Sequence, residues 1–202
     1  MNKPFSQACE NNKQPILDVL NEVLKQQKHV LEIGSGTGQH AVYFARKMPH
    51  ITWQTSDLLI NHEGINQWID AYPLQNIKRP FTLNLEDNYR QQKLKFNSVD
   101  ALYTANTLHI ISWTLVLNFF KLVEKNLIEG GKLCIYGPFN YKGSFTSESN
   151  ANFDMWLKER DKHSGIRNIE DVHLLATQSG LILRNDLSMP ANNRFLIFEK
   201  KS

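Results

Sequence analysis

The sequence predicts an α/β fold: a mostly parallel seven-stranded sheet that ends in an antiparallel hairpin, with helices on both faces. Three observations lead to this prediction. Helix-like and strand-like segments alternate along most of the 202 residues. A glycine-rich turn joins the first strand-like segment to the next helix-like one. The last two strand-like segments are separated by a short connection, which favours antiparallel pairing.

The first half of the chain is assigned from apolar periodicity and β-rich runs. The predicted elements are, in order, a helix over 13–27, a strand over 29–33, a helix over 41–48, a strand over 51–55, a helix over 65–72 and a strand over 80–85. Pro15 is expected in the first turn of the first helix, where its missing N–H costs no hydrogen bond. The second strand leads directly into Asp57.

The second half continues the alternation. The predicted elements are a strand over 96–105, a helix over 113–123, a strand over 132–136, helices over 153–157 and 169–176, and strands over 181–187 and 194–199. Gly130 and Gly131 are expected to end the helix before the fifth strand. Residues 137–150 form the longest irregular stretch and are a candidate substrate loop.

The amino-acid composition limits the classes of protein to which the chain can belong. Apolar residues make up 41% and charged residues 21%, and the formal net charge is +3, as in an ordinary single globular domain spanning residues 1–202. The short basic cluster around residues 90–95 predicts no nucleic-acid partner. Cys9 and Cys134 form no CxxC pair, and no leader or membrane-length apolar run is present, so a cytoplasmic location is expected. The oligomeric state stays open.

The strongest motif reads Glu32-Ile-Gly34-Ser35-Gly36-Thr-Gly38 between a strand and a helix. Its glycines allow a tight turn and close approach of a ligand to the backbone. A dinucleotide fingerprint starting at Gly34 would place its third glycine at position 39, which is Gln39. The Glu32 carboxylate suits the positively charged end of S-adenosylmethionine (SAM). The motif therefore favours SAM over a dinucleotide, the alternative being a glycine turn without a ligand.

Asp57 ends the second strand and is positioned to accept both ribose hydroxyls of a nucleoside, although it could instead cap the next helix. Asn84 and Leu85 are candidates for the adenine, with Glu86 and Asp87 as competitors for the polar contact. The predicted cofactor-binding residues are Glu32, Gly34, Ser35, Gly36, Gly38, Gln39, Asp57, Leu58, Asn84, Leu85 and Asn106.

The chain resembles the methyltransferase-like twenty-six family of class I methyltransferases. The matching motifs are Ser6-Gln-Ala-Cys-Glu-Asn-Asn12, the glycine motif through His40, Trp53-Gln-Thr-Ser-Asp57, Asn106-Thr-Leu-His109, Tyr136-Gly-Pro-Phe139, Ser149-Asn150-Ala-Asn-Phe-Asp154, Gly165-Ile-Arg167 and Met189-Pro-Ala-Asn-Asn193. The resemblance implies a Rossmann-like, SAM-binding methyltransferase fold and leaves the substrate undefined. Asn84 departs from the Asp that is usual in this family.

Two residues are candidates for catalysis. His109 is the candidate general base, because imidazole titrates near neutral pH, and its alternative is a residue that starts a helix. Tyr136 could orient a methyl acceptor or fill the end of the sheet. The predicted substrate-binding residues are Asn12, Phe139, Asn150, Asp154 and Arg167. A helix cap, a surface carboxylate and an ion pair are the alternatives for the last three. Residues 1–12 are a possible lid, and no metal site is predicted.

Three functions are consistent with these patterns. The first is a SAM-dependent methyltransferase that acts on a small-molecule acceptor. The second is a module that binds SAM or S-adenosylhomocysteine (SAH) without transferring a methyl group and acts through a protein partner. The third is a nucleotide-dependent oxidoreductase, which Gln39 in place of glycine disfavours.

Overall fold

A computed structural model describes residues 3–86 and 99–201. Its helices are α1 (Gln7–Val23), α2 (Gln39–Lys47), α3 (His62–Ala71), α4 (Trp113–Asn126), α5 (Glu148–Arg160) and α6 (Ile169–Gln178), with a short 3₁₀ helix at Leu59–Asn61. Its strands are β1 (His29–Ile33), β2 (Thr52–Asp57), β3 (Ile77–Thr82), β4 (Val99–Ala105), β5 (Leu127–Gly137), β6 (Phe139–Asn140), β7 (Arg167–Asn168), β8 (Leu181–Met189) and β9 (Asn193–Lys200).

Seven of the strands form one sheet in the order β3-β2-β1-β4-β5-β9-β8, and β6 and β7 form a separate parallel pair. The pairs β1–β2, β1–β4 and β2–β3 are parallel. β9 runs antiparallel to both β5 and β8. The predicted fold class is therefore confirmed, including the C-terminal hairpin.

The chain divides into two compact units. The described part of the first unit is residues 3–84 and 99–104, and that of the second is 85–86 and 105–201. The first unit has an aromatic core in which the rings of Phe44, Trp53 and Tyr103 lie 5.5–5.6 Å apart between centroids. In the second unit, Tyr136 and Phe195 are buried on paired strands with ring centroids 6.5 Å apart.

The first helix begins six residues earlier than predicted. Ser6 caps it by accepting a hydrogen bond from the backbone N–H of Cys9 (3.3 Å). Pro15 consequently lies in the helix interior, where it removes one i→i−4 hydrogen bond. The apolar stripe starts only at Ile16, so periodicity did not reveal the two polar turns before it. Residues 7–12, part of the possible lid, belong to this helix.

Other boundaries also differ from the prediction. α5 begins at Glu148, so the predicted irregular stretch 137–150 contains β6 and the first turn of this helix. The third strand covers Ile77–Thr82, not 80–85. α4 ends at Asn126 because Leu127 is already extended, and Gly130 and Gly131 lie within β5 instead of ending the helix. Residues 96–98 of the predicted fourth strand, the basic cluster at 90–95 and Asp87 lie outside the described residues. No helix within 3–86 or 99–201 has the length and apolarity needed to cross a membrane.

Candidate functional site

The glycine loop between β1 and α2 is held by the neighbouring strand. The backbone N–H groups of Gly34 and Ser35 both donate to the Ser56 carbonyl, at 3.1 and 3.0 Å. The N–H of Gly36 donates to Oδ2 of Asp57 at 2.7 Å. These bonds place the loop against the end of β2, so the two strongest sequence signals lie together in the first unit.

Gly36 and Gly38 are needed for different reasons. Both have positive φ angles, 57° and 88°, which favour glycine. A Cβ on Gly38 would lie 3.0 Å from Cα of Ile65, so this glycine lets α3 pack closely. A Cβ on Gly36 would meet no atom of the described residues within 4 Å. The surface at Gly36 is therefore open to a ligand.

Glu32 is almost fully buried at the end of β1. Its Oε2 accepts hydrogen bonds from Ser35 Oγ (2.9 Å) and Trp53 Nε1 (3.2 Å). Burial raises the pKa of Glu32 to about 7, although both donors oppose the shift. Glu32 therefore braces the loop, and its contact with the cofactor stays a prediction.

Asp57 makes several short bonds within its own turn. Its Oδ1 accepts from the Leu58 N–H and from Nδ2 of Asn61, both at 2.7 Å. Asp57 does not cap the next helix, because the N-caps of the 3₁₀ helix and of α3 are Leu58 and Asn61 and neither helix has a side-chain cap. Oδ2 of Asp57 also receives the Gly36 N–H. Because each carboxylate oxygen has two acceptor sites, Oδ2 retains capacity for a hydroxyl donor. Leu58, which follows, is 45% exposed and offers an apolar surface beside this carboxylate.

Gln39 and Asn12 contact other parts of the first unit. The Gln39 side chain accepts from the Ser6 N–H and from Thr37 Oγ1, and its Nε2 donates to the Ser6 carbonyl. Asn12 Oδ1 lies 2.7 Å from Nε2 of the buried His40. Burial lowers the pKa of His40 to about 4, so the neutral ring donates to Asn12. These contacts attach α1 and the residues before it to α2.

The other predicted cofactor residues follow β3 and β4. Asn84 lies in the first unit, two residues after β3. Leu85 belongs to the second unit, where its carbonyl accepts from Nδ2 of Asn118 at 2.8 Å. Asn106 directly follows β4, with a φ of 56° and its N–H donating to the Tyr136 carbonyl at 2.9 Å. Asparagine tolerates this left-handed geometry better than most residues.

His109, the candidate base, is 4% exposed in the second unit. Its ring packs edge-on against Phe153, with centroids 5.4 Å apart. Gly137 lies beside this ring and beside Asn106, since atoms of the two side chains are 3.4 and 4.0 Å from where a Cβ on Gly137 would be, at ordinary contact distance. Burial, with a smaller contribution from the Arg167 charge, lowers the pKa of His109 to about 4. The ring is therefore neutral at pH 7 and a weak base.

Arg167 binds the loop that carries His109. Its Nε donates to the Leu108 carbonyl at 3.0 Å, and its Nη2 donates to the carbonyls of Ile111 and His163. Burial lowers the pKa of Arg167, and Asp154 partly offsets that shift. The guanidinium thus serves as a clamp on the main chain, and a role in substrate binding stays a prediction.

Asp154 and Asn150 project from α5 and bind the same unit. Buried Asp154 accepts from the Ile166 N–H at 2.7 Å and pairs with Lys158 at 2.6 Å. Asn150 Nδ2 donates to Thr146 Oγ1 (2.9 Å) and to the Asn192 carbonyl (3.2 Å). Asp154 is therefore not the surface carboxylate of the alternative interpretation. Tyr136 and Phe139 are both buried, at or just after the end of β5.

Asn140 lies in the 137–150 stretch, the candidate substrate loop, but no individual role was predicted for it. It is buried, its Nδ2 donates to the Ile166 carbonyl at 3.4 Å, and its Oδ1 has no hydrogen-bond partner within the described residues. A buried acceptor without a partner is unusual and marks a place where a donor fits. Its position directly after the Tyr-Gly-Pro-Phe motif was the available signal.

The first unit has the kinds of group that SAM needs for binding. A nucleoside requires hydroxyl acceptors and backbone that it can approach closely, and these are supplied by Asp57 Oδ2 and by the open surface at Gly36. The helix after the loop begins at Gly38 with no side-chain cap. An anionic group is favoured at such a helix start. The residues present therefore fit this cofactor.

Comparison with known proteins gives a family. Residues 3–200 match the family described as "Protein of unknown function (DUF938)". The chain belongs to this family. Membership defines no reaction, because the description of DUF938 names none. In the part of the chain that the structure describes, no group of three or more His, Cys, Asp or Glu side chains is arranged to hold a metal ion.

Solved structures resemble this DUF938 chain in fold. An O-methyltransferase family protein from Burkholderia thailandensis matches with a TM-score of 0.83 and 21% identity over 96% of this chain and 58% of that one. The SAM-dependent methyltransferase SibL matches with a TM-score of 0.79 and 16% identity, over 96% and 56%. Human N-acetylserotonin methyltransferase in complex with SAM matches with a TM-score of 0.76 and 14% identity, over 97% and 53%.

These comparisons define the fold. The chain spans a little over half the length of each of the three proteins. At such low identities the likeness supports a methyltransferase fold and leaves the acceptor undefined.

Proposed function

We propose that the chain is a SAM-dependent methyltransferase that acts on a small-molecule acceptor, in keeping with its resemblance to the methyltransferase-like twenty-six family. One observation carries the proposal. The glycine loop is fastened to the end of β2 by the Gly36–Asp57 hydrogen bond while the surface at Gly36 stays open. The shared fold with SAM-dependent methyltransferases supports the same conclusion.

In this proposal the first unit holds the cofactor. Asp57 Oδ2 accepts from a ribose hydroxyl, Leu58 packs on the nucleoside, and the start of α2 faces the carboxylate. SAM, when bound, supplies a methyl group on a sulfonium, which is already activated for displacement. The chain must therefore mainly bind and align the reactants, because alignment alone can lower such a barrier considerably.

The buried state of His109 restricts the acceptor in this proposal. An imidazole with a pKa of about 4 is a poor base at neutral pH, because few protons move to it. An acceptor that is nucleophilic without strong base assistance, such as an amine, a thiolate or an acidic phenol, suits the site better than an aliphatic alcohol.

The same observations support a second candidate, a module that binds SAM or SAH without methyl transfer. His109 is buried, and the side chains of Asn150, Asp154 and Arg167 already bind groups of their own chain. A measurement of SAM turnover distinguishes the transferase from the binding module. A transferase releases SAH from SAM with at least one member of an acceptor panel of amines, thiols and phenols, whereas the module releases none with any.

Variants at Asp57 test the cofactor role. Asp57→Asn keeps an acceptor at Oδ1 but weakens the charge-assisted bonds, so SAM affinity should fall roughly five- to fiftyfold. Asp70→Asn removes an exposed carboxylate on α3 and should leave affinity unchanged. Calorimetry gives the affinities, and circular dichroism confirms folding of each variant. Equal affinity of folded Asp57→Asn and wild type would contradict the proposed role.

A further inference from the structure

A concave surface lies in the first unit, among its helices. A groove of about 360 Å³ runs along α2, between residues of α1 and of α3. This volume is within the range of pockets that bind small ligands. The groove is lined by residues of α1, α2 and α3 and by Tyr72, and of the predicted cofactor residues it includes Gln39 but not Gly34, Gly36, Gly38 or Asp57.

One wall of the groove is aromatic. The ring of Trp68 on α3 and that of Tyr72, directly after this helix, are stacked, with centroids 5.9 Å apart and planes at 17°. Tyr72 is 39% exposed, which leaves part of this flat surface available. A flat aromatic wall favours a planar ring, because offset stacking adds stabilisation beyond simple burial of apolar area.

The N-terminal segment brings a positive charge to this wall. The Lys3 ammonium lies 4.3 Å from the Trp68 ring centroid and 4.6 Å from that of Tyr72. The segment is anchored next to Lys3, since Trp68 Nε1 donates to the Pro4 carbonyl at 2.7 Å. Pro4 also packs against Gly64, where a Cβ would lie 2.6 Å from its ring.

The groove carries an excess of positive charge. Lys13 and Arg46 line it, and Lys3 lies over its aromatic wall. Glu10 is the acidic residue among the lining side chains, and it is already paired with Lys13. Arg46 has no ion pair or hydrogen bond from its side chain within residues 3–86 and 99–201. Two of the three cations are therefore not neutralised by a carboxylate.

We propose that this groove binds a planar aromatic anion, a ring system bearing a carboxylate or a phosphate. The Trp68–Tyr72 wall packs against the ring, and Lys3 and Arg46 bind the acidic group. A cationic occupant is disfavoured, because Lys3 and Arg46 bring positive charge that no carboxylate neutralises within the described residues. The site is separate from the glycine loop, so the proposal does not depend on methyl transfer.

Matched probes test the charge requirement. Naphthoate, naphthyl phosphate, naphthamide and naphthylmethylammonium share one ring system and differ in charge. Each is titrated into the full chain by calorimetry, and the Trp68 indole N–H is followed by NMR. Naphthoate or naphthyl phosphate should bind and shift the Trp68 resonance, with the neutral amide weaker by roughly threefold or more. Tighter binding of naphthoate indicates a carboxylate as the acidic group of the ligand, and tighter binding of naphthyl phosphate indicates a phosphate.

Matched variants test the location. Arg46→Gln and Tyr72→Ala should each weaken the anion by roughly threefold or more. Lys47→Gln removes the same charge from the next residue of α2, outside the groove, and should have no effect. Tighter binding of the cationic probe, equal losses for Arg46→Gln and Lys47→Gln, or an unshifted Trp68 resonance would each overturn the proposal. Circular dichroism verifies that the variants are folded.

Discussion

The glycine loop of the first unit and the His109 segment of the second unit are held in place by different kinds of group. In the glycine loop, hydrogen bonds from Gly34, Ser35 and Gly36 fasten the turn while the surface at Gly36 stays open. In the His109 segment, the Arg167 side chain is itself directed at main-chain carbonyls. Polar residues that look similar in sequence thus lie beside an open surface in one region and bind the main chain in the other.

This difference indicates where a ligand could bind. A ligand site needs exposed backbone, or side-chain donors and acceptors that can still form hydrogen bonds, and the glycine loop with Asp57 offers both. The polar residues around His109 bind their own chain, so substitutions there should first lower stability. Substitutions at the open glycine should instead act on binding.

The largest expected loss of stability is at Asp154. Asp154→Ala removes the acceptor of the Ile166 N–H and leaves that buried donor without a partner. The free energy of unfolding should fall by about 2–3 kcal/mol. Glu159→Ala, an exposed position on the same helix, should change it by less than about 0.5 kcal/mol. Urea denaturation measures both. Equal stabilities of the two variants would show that Asp154 has no structural role.

The next effect concerns pH and His109. Its pKa is about 4 in the folded state, below the ordinary 6.5, so the unfolded chain binds more protons between these values. Stability contributed by neutral His109 is therefore present above pH 6.5 and is lost as the pH falls towards 4. From pH 7 to pH 5 this amounts to about 2 kcal/mol.

His109→Gln should remove that part of the pH dependence. Two other buried titratable residues, His40 and Glu32, provide an internal comparison. His40, with its pKa near 4, also loses stability on acidification, whereas Glu32, with its pKa raised to about 7, gains stability as the pH falls from 7 to 4.5. Unfolding at pH 5 and pH 7 should show a smaller acid loss in His109→Gln than in wild type. An unchanged loss would contradict burial of a neutral ring.

The smallest expected effect is the difference in stability between alanine variants of two glycines in the same loop. Gly38→Ala combines a φ of 88° with a Cβ 3.0 Å from the Ile65 backbone and should cost about 2 kcal/mol of stability. Gly36→Ala has positive φ but open space, and should cost about 1 kcal/mol. Thermal unfolding ranks the two variants. The reverse order would mean that Gly38 is not limited by packing on α3.

Sequence patterns predicted the fold well because most of the signals are local. The strand–glycine–helix unit around Gly34–Gly38 and the C-terminal hairpin each lie within a short stretch of chain. The first helix was misplaced because its capping residue, Ser6, precedes two polar turns that carry no apolar period. Gly130 was misinterpreted as a helix end because a positive φ occurs both at helix ends and within strands.

The environment of His109 could not be predicted in the same way. Arg167 contacts carbonyls up to 59 residues away in sequence, and carbonyls carry no residue-specific signal. The unpartnered acceptor of Asn140 and the burial of His109 likewise depend on how distant segments pack. The residue types indicated a polar cluster. Only the structure shows how many of its polar groups already form hydrogen bonds with other parts of the chain.

Calorimetric titration of SAM into wild-type protein and Gly36→Ala tests the central claim most directly. Gly36→Ala should stay folded but lose much of its affinity, because a methyl group occupies the open surface of the loop. We expect measurable SAM binding to the wild type and binding at least about tenfold weaker in Gly36→Ala. No SAM binding to folded wild type, or equal binding by the two proteins, would contradict it.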